Sequence, residues 1–259
     1  MTSCSLKTYY QVVEVKSTNV QKESNNYVYN DGDCKIIYNF WGEGGDAGFT
    51  IENLSDVVLY VDLGKTFYIE NGKAYDYYRA KTGKNLKLVE ANNSSNKSNS
   101  DIAFTEKPVV AIPPHASKSL YGYIIMDDVI QDCSVNLMVK KNQPEAKTYT
   151  ESESPICFSN FISYRKGESE ASKVITNDFY ISGYTNYMST DIIKVENVGC
   201  KKTLKLEYFD KCGSEYFYVE YNKTHSNHYS ADAKGNATSS KIKKKVSPNG
   251  ASYYSVRKE

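Results

Sequence analysis

Apolar residues recur along this chain with a period of two, and helical spacing is hard to find anywhere. The run AGFTIENLSDVVLYVDLGKTFYIENGKAYDYY, residues 47–78, shows the pattern best. Phe49 and Ile51 alternate with polar neighbours, and Asn53 to Asp56 form a turn cluster. Val57, Leu59 and Val61 continue the alternation, Leu63 to Lys65 break it, and Phe67 and Ile69 resume it. Asn71-Gly72 then has the residue pair of a type I′ hairpin, whose two central positions need positive φ, and Ala74 to Tyr78 run back. The expectation is an antiparallel meander of four strands.

The same style extends along the chain. KPVVAIPPHASKSLYGYII, residues 107–125, reads as a strand, a Pro113-Pro114 corner and a second strand. EANNSSNKSNSD, residues 90–101, reads as a polar surface loop. KTLKLEYFDKCGSEYFYVEY, residues 202–221, reads as a hairpin: Leu204, Leu206 and Tyr208 share one face, Asp210 to Gly213 turn with Gly213 left-handed, and Phe217, Val219 and Tyr221 return. Many short strands and no helical cover for a parallel sheet predict an all-β fold. The architecture expected is one or two antiparallel β-sandwiches, immunoglobulin-like in general style, with few or no helices. The expected organisation is an N-terminal tether over 1–24, a sandwich over 25–142, a second β-rich domain or a continuation of the first over 143–230, and a basic tail over 231–259. The boundary falls in the polar stretch KKNQPEAKTYTESESP, residues 140–155.

Composition sharpens this picture in two places. The chain of 259 residues is 40% hydrophobic with a net charge of +1, so a real core is affordable and nothing global points to nucleic acid. No run of about 18 apolar residues encodes a transmembrane helix. The 24 tyrosines against one tryptophan are unusual. Tyrosine suits a half-buried pleated face, since its ring packs while its hydroxyl reaches water. The tracts around Tyr75, Tyr77 and Tyr78 and around Tyr216 and Tyr218 are candidates for a ligand-binding aromatic face of the kind on which sugars stack; the alternative is a sheet packed by amphipathic aromatics. The last 29 residues hold seven Lys/Arg and two Asp/Glu, leaving the rest slightly acidic. That cluster reads as a solvated terminus or as a contact for phosphates or an anionic surface.

Motifs of catalysis are absent. Six cysteines, Cys4, Cys34, Cys133, Cys157, Cys200 and Cys212, form no C-x-x-C. In the expected hairpin, extended chain holds Cys200 and Cys212 roughly 30 Å apart, too far for a disulfide. His225 and His228 with Asp232 lack a third ligand at fixed spacing, and His115 after Pro114 reads as a turn residue. WGEGGDAG, Trp41 to Gly48, precedes a strand, so it lacks the helix N-terminus of a phosphate cradle. Asp31, Asp33, Glu43 and Asp46 are acidic loop residues near glycines without the spacing of a calcium-binding EF-hand. No catalytic residue, metal or cofactor is assigned.

Thr2-Ser3-Cys4 fits the last three places of a bacterial lipobox, in which two small residues precede a cysteine that receives diacylglycerol; the charged and apolar regions that would stand before it are missing. With that motif, the segments TSCSLKTYYQVVEVKS, YNDGDCKIIYNFWGEGGDAGFTIENLSD, FYIENGKAYDYY and AIPPHASKSLYGY together resemble uncharacterised β-rich lipoproteins of gut anaerobic bacteria, through most of residues 1–165. The resemblance implies Cys4 as a lipid anchor, attachment to a membrane, a location in the bacterial cell envelope and an all-β body; it brings no activity. Behind Cys4, SLKTYY has a lysine in place of the acidic residues often found in surface-exported lipoproteins of this bacterial group, so the periplasmic face is expected. A genuine start at Met1 would instead imply the cytoplasm. Three functions are open: a non-enzymatic envelope lipoprotein with a binding or structural role and a glycan or protein partner, a carbohydrate-binding module using a tyrosine face, and a hydrolase whose site assembles only in three dimensions.

Overall fold

The computed structural model describes residues 7–78, 107–121, 123–198, 204–222, 242–246 and 252–256. Cys4, the polar run 90–101 and the histidine pair 225 and 228 lie outside the described residues. In chain order the strands are β1 Thr8–Ser17, β2 Gln21–Glu23, β3 Asn26–Asn30, β4 Cys34–Tyr38, β5 Phe49–Asn53, β6 Leu59–Asp62, β7 Phe67–Glu70, β8 Lys73–Asp76, β9 Val109–Ile112 and β10 Ser117–Leu120. They continue with β11 Glu145–Thr148, β12 Cys157–Lys166, β13 Lys173–Met188, β14 Ile193–Val198, β15 Leu204–Phe209, β16 Tyr216–Asn222, β17 Ile242–Val246 and β18 Ser252–Val256. A single turn of α-helix, α1 Ser189–Ile192, links β13 to β14.

The fold is all-β. A large antiparallel sheet runs β16-β1-β13-β12-β6-β9, with β7 on β12, β8 on β7 and β11 on β13; a smaller one runs β10-β5-β4-β3-β2. The two pack as a sandwich around one apolar core. Alternation places the core residues: Cys34, Ile36 and Tyr38 of β4 point in, as do Phe49 and Ile51 of β5 and Phe158, Ile162 and Tyr164 of β12. Phe179 of β13 sits among rings from both sheets, with centroids 4.8 Å from Tyr38, 5.0 Å from Phe40 and 5.3 Å from Phe158.

Burying tyrosine brings hydroxyls into this core, and each needs an acceptor. Asn160 of β12 and Asn177 of β13 are direct cross-strand partners, both fully buried. Tyr38 Oη donates to Asn177 Oδ1 at 2.8 Å, and Tyr77 Oη to Asn160 Oδ1 at 2.7 Å. Asn160 Nδ2 in turn donates to the Ala47 carbonyl at 2.8 Å. Tyr27 and Tyr221 donate to the carbonyls of Val15 and Leu137. Much of the tyrosine enrichment is therefore interior packing, with the hydroxyls of Tyr27, Tyr38, Tyr77 and Tyr221 bonded inside and those of Tyr68 and Tyr184 left without a hydrogen-bond partner.

Several pairings differ from the sequence expectation. The segment 47–78 holds the four expected strands, and Asn71 and Gly72 take φ of 46° and 81° at the tip of the β7–β8 hairpin. It is not a meander: β5 belongs to the small sheet and β6 to the large one. The chain crosses between sheets at the corner after Asn53, whose buried Nδ2 donates to the carbonyls of Val57, Ile112 and Pro113. Pro113-Pro114 is the second crossing, from β9 in the large sheet to β10 in the small one. Residues 202–221 are not a hairpin either. β15 pairs back with β14, while β16 lies on β1; the link between them turns without Gly213 adopting a left-handed φ.

The expected tether over 1–24 contains β1, which is held between β13 and β16. Strands on both sides of the expected boundary near 142 hydrogen-bond in one sheet, β12 with β6 and β7 and β16 with β1. Within the basic tail, β17 and β18 pair with each other.

Removing the interior acceptor should be costly. Asn160→Ala removes the shorter acceptor of the Tyr77 hydroxyl and the amide donor to the Ala47 carbonyl, leaving these two only their mutual bond at 3.2 Å, with an expected loss of about 1–3 kcal/mol in urea unfolding. Tyr77→Phe should cost about 1–2 kcal/mol, and the double variant less than the sum. Strictly additive losses would show that the two side chains do not depend on each other.

Candidate functional site

The five tyrosines singled out from sequence do not form one face. Tyr75, Tyr77 and Tyr78 lie on or just after β8, at one margin of the large sheet, and Tyr216 and Tyr218 lie on β16, at the other. Tyr77 is buried, and burial pushes its hydroxyl well above the ordinary tyrosine range. Tyr75 and Tyr123 pack against Tyr68, at 6.1 and 4.8 Å. Tyr216 is half-buried, with the Lys211 ammonium 4.4 Å from its ring centre.

Tyr218 belongs to a different cluster. Along β16, Phe217, Val219 and Tyr221 point into the sandwich, which puts Tyr218 and Glu220 on the outer face of the sheet. Their partners on β1 are Val12 and Tyr10. Two further rings complete the group. Phe209, the last residue of β15, stacks on Tyr218 at 4.4 Å, and Tyr10 stands edge-on to Phe209 at 5.2 Å. Trp41 stands edge-on to Phe209 at 5.1 Å and lies 5.4 Å from Tyr218. All four rings are half-buried, unlike the fully enclosed Phe40, Phe158 and Phe217 of the interior.

Trp41 arrives through the glycine-rich segment Trp41 to Gly48. Residues 40–44 run alongside β16: Phe40 N–H donates to Ser214 O at 2.9 Å, Tyr218 N–H to Gly42 O at 3.1 Å, and Gly44 N–H to Tyr218 O at 2.7 Å. Phe40 enters the core and Trp41 the outer cluster. Gly44 and Gly45 have φ of 77° and 73°. A Cβ on Gly44 would lie 2.7 Å from the Met126 carbonyl oxygen, and one on Gly45 2.9 Å from the Phe217 ring, so glycine is required at both.

Two carboxylates border the rings. Tyr10 Oη donates to Glu220 Oε2 at 3.3 Å. Burial, with Glu43 and Glu220 nearby, pushes the Tyr218 hydroxyl up to about 12; burial and Glu220 raise Tyr10 as well. The surface is thus aromatic, with hydrogen-bond acceptors on its rim. Nothing in the run around Tyr218 signals Tyr10 and Trp41, which come from distant segments, and Phe209, nine residues before Tyr218, stands on a strand that pairs with β14 and not with β16; the lone tryptophan inside a glycine run was the available clue.

The other candidates are less open to chemistry. A shallow cavity of about 350 Å³ on the outer face of β12 and β13 is lined by Cys157, Ser159, Asp178 and the Asn71-Gly72 turn, among others. Ser159 Oγ and Asn19 Nδ2 occupy the two oxygens of Asp178 at 2.6 and 2.9 Å, so its polar groups are committed to one another. The acidic loop residues do not converge. Asp31 accepts from Tyr164, Asp33 is paired with Lys166 and Lys173, and Asp46 is buried in its own turn. Among the described residues no group of His, Cys, Asp and Glu could hold a metal ion. Cys34, Cys133, Cys157 and Cys212 are free thiols; Cys200 lies outside the described residues.

Asp46 ties the Trp41 segment to pH. Its Oδ1 accepts the Gly48 N–H at 2.8 Å, and burial pushes its carboxyl up from 3.8 to about 6 despite that bond. An acid with a raised folded pKa binds its proton more tightly when folded. Its contribution to stability is complete below 3.8 and is lost as pH rises through about 6. Asp46→Asn keeps the acceptor and removes the charge. Its stability relative to wild type should therefore increase between pH 4 and pH 8, by up to about 3 kcal/mol. Urea midpoints that run parallel across this range would contradict the assignment. Compared with known proteins, the chain matches no family model, no curated protein and no solved structure.

Proposed function

We propose that this chain is a non-enzymatic binding protein whose ligand is a carbohydrate, held on the outer cluster of Tyr10, Trp41, Phe209 and Tyr218. One observation carries the reading: four rings from four separate strands or loops meet on the outer side of the sheet and stay partly exposed beside Glu43 and Glu220. The C–H face of a sugar ring carries weak positive character and packs on electron-rich aromatic faces, while its hydroxyls donate to carboxylates. The Tyr75, Tyr77 and Tyr78 tract plays no part, since Tyr77 is interior.

Trp41 is the only tryptophan of the chain, so emission excited beyond the tyrosine absorption band reports on this surface alone. A glycan array should yield bound sugars whose titration changes Trp41 emission, and Tyr218→Ala should weaken binding at least tenfold, about 1.4 kcal/mol. An array without a hit, or hits that leave the emission unchanged and survive Tyr218→Ala, would remove the reading.

The Thr2-Ser3-Cys4 pattern supports a second element, attachment to the bacterial envelope through a lipid on Cys4, on the periplasmic side. β1 begins at Thr8, so such an anchor would hold the sandwich within about 13 Å of chain from the lipid. The full precursor should enter the detergent phase and incorporate labelled fatty acid, and Cys4→Ala should do neither. Identical fractionation of the two would leave sugar binding without an anchor.

A further inference from the structure

The ribbon of β14 and β15 is a separate two-stranded sheet. Among the described residues, β14 pairs with β15 and with no other strand, so its outer edge is open. Val195, at the middle of that edge, is 57% exposed on one face of the ribbon; on the other face Lys194 and Glu196 stand beside Tyr208 and Leu206 of β15, 44% and 50% exposed. Open apolar edges are normally blunted by charge or covered by another strand.

The direction of each backbone group on β14 follows from the ladder. Asp210 N–H donates to Ile192 O at 2.8 Å, which marks that pair as a hydrogen-bonded one. Bonded and non-bonded pairs alternate. Lys194 with Tyr208 and Glu196 with Leu206 are therefore bonded pairs, while Ile193, Val195 and Asn197 turn their N–H and C=O groups outward. The charges around this edge are symmetric: Lys194 and Glu196 flank Val195, and both are exposed.

We propose that β14 pairs antiparallel with β14 of a second copy of this chain, about a two-fold axis through Val195. This register sets Val195 against the partner's Val195, with the outward N–H of each donating to the carbonyl of the other. It sets Lys194 against the partner's Glu196, and Glu196 against the partner's Lys194. The sequence Lys-Val-Glu complements itself only in this antiparallel arrangement; a parallel register would set like charges side by side. The contact is isologous, so it closes at two copies. It joins two ribbons into a four-stranded sheet with the order β15-β14-β14-β15. Lys194 already lies 3.5 Å from Asp210 in its own chain, an exposed pair that does not compete strongly with the new contact. A strand of six residues buries less than a standard interface, so the dimer is weak and concentration-dependent.

Sedimentation equilibrium of the full chain between about 1 μM and about 1 mM should show monomer passing to dimer. Val195→Pro removes an N–H that the ribbon itself does not use, and edge positions of this kind tolerate proline. It should abolish dimerisation while circular dichroism and the urea midpoint remain those of wild type. Lys194→Glu should weaken the dimer about tenfold by opposing carboxylates at two symmetric contacts. Lys194→Glu with Glu196→Lys should restore it to within about threefold, because the reversed pair is again complementary. Asp210→Asn should leave the dimer unchanged. A chain that stays monomeric throughout, a Val195→Pro variant that dimerises like wild type, or a double swap no better than the single one would each overturn the proposal.

Discussion

The structure depends on how the phenol hydroxyls of its interior are satisfied. A sandwich core of leucine and isoleucine needs no polar atom, but this one contains Tyr38 and Tyr77, both enclosed. A buried hydroxyl without a partner costs about 1–3 kcal/mol. The acceptors come from an asparagine pair facing inward from neighbouring strands, Asn160 and Asn177, at positions where the alternation calls for apolar residues. Because Asn160 also donates to Ala47, the same amide fixes the segment that follows Trp41. Core packing and the placement of the outer ring cluster are thereby one problem: loosening the interior amide loosens the loop that brings the tryptophan to the surface.

The outer cluster exists because an edge strand is covered from the side. β16 has β1 on one flank, and residues 40–44 lie along the other. Two consecutive aromatic residues, Phe40 and Trp41, then fall on opposite sides of that edge, one in the core and one outside. The left-handed glycines at 44 and 45 let the backbone turn back under Ile124 and Phe217 without a side chain in the way. Asp46 sits inside this turn, where its burial makes the loop more comfortable with a protonated acid. The glycine run thus serves close backbone approach, and the phosphate-cradle reading fails for a structural reason as well as a sequence one.

Strand positions were legible, whereas strand partners were not. Alternation reports that a residue faces a core, and it reads the same whether the strand pairs with its sequence neighbour or crosses to another sheet. That is why residues 49–76 gave four correct strands and a false meander. The crossing signal was Asn53, a buried amide that reads in sequence as an ordinary turn asparagine. β1 was hidden for another reason. Its inward set is Tyr9, Gln11, Val13 and Val15, and Gln11 breaks the apolar pattern because its amide bonds Asn186 and Ile130 inside the protein. On β13 a bulge at Ser182–Gly183 shifts the inward set from Ile175, Asn177, Phe179 and Ile181 to Tyr184 and Asn186, so no single period runs through the strand. The ring cluster was illegible because its four members are brought together only by these long-range pairings.

The ribbon and the ring cluster are physically linked, since Phe209 ends β15 opposite Ile193 and also stacks on Tyr218. In a pair of chains joined at Val195, position 193 of each copy lies two residues from the axis on opposite sides. The two Phe209 positions, one strand farther out on β15, would be about 13 Å apart along the strands and about 14 Å across them, about 20 Å in all. A dimer of this kind would present two aromatic surfaces at a fixed spacing, near the length of a few sugar units. A weak site repeated at fixed spacing on a repeating polymer gains from effective concentration, by factors of about 10² to 10⁴ when the geometry allows both sites to engage. Modest single-site affinity and a weak edge contact would then reinforce each other only on an extended glycan. Polymer binding should fall in Val195→Pro while the titration of Trp41 with a short oligosaccharide stays the same. Equal loss with both ligands would mean that the edge substitution disturbs the ring cluster itself.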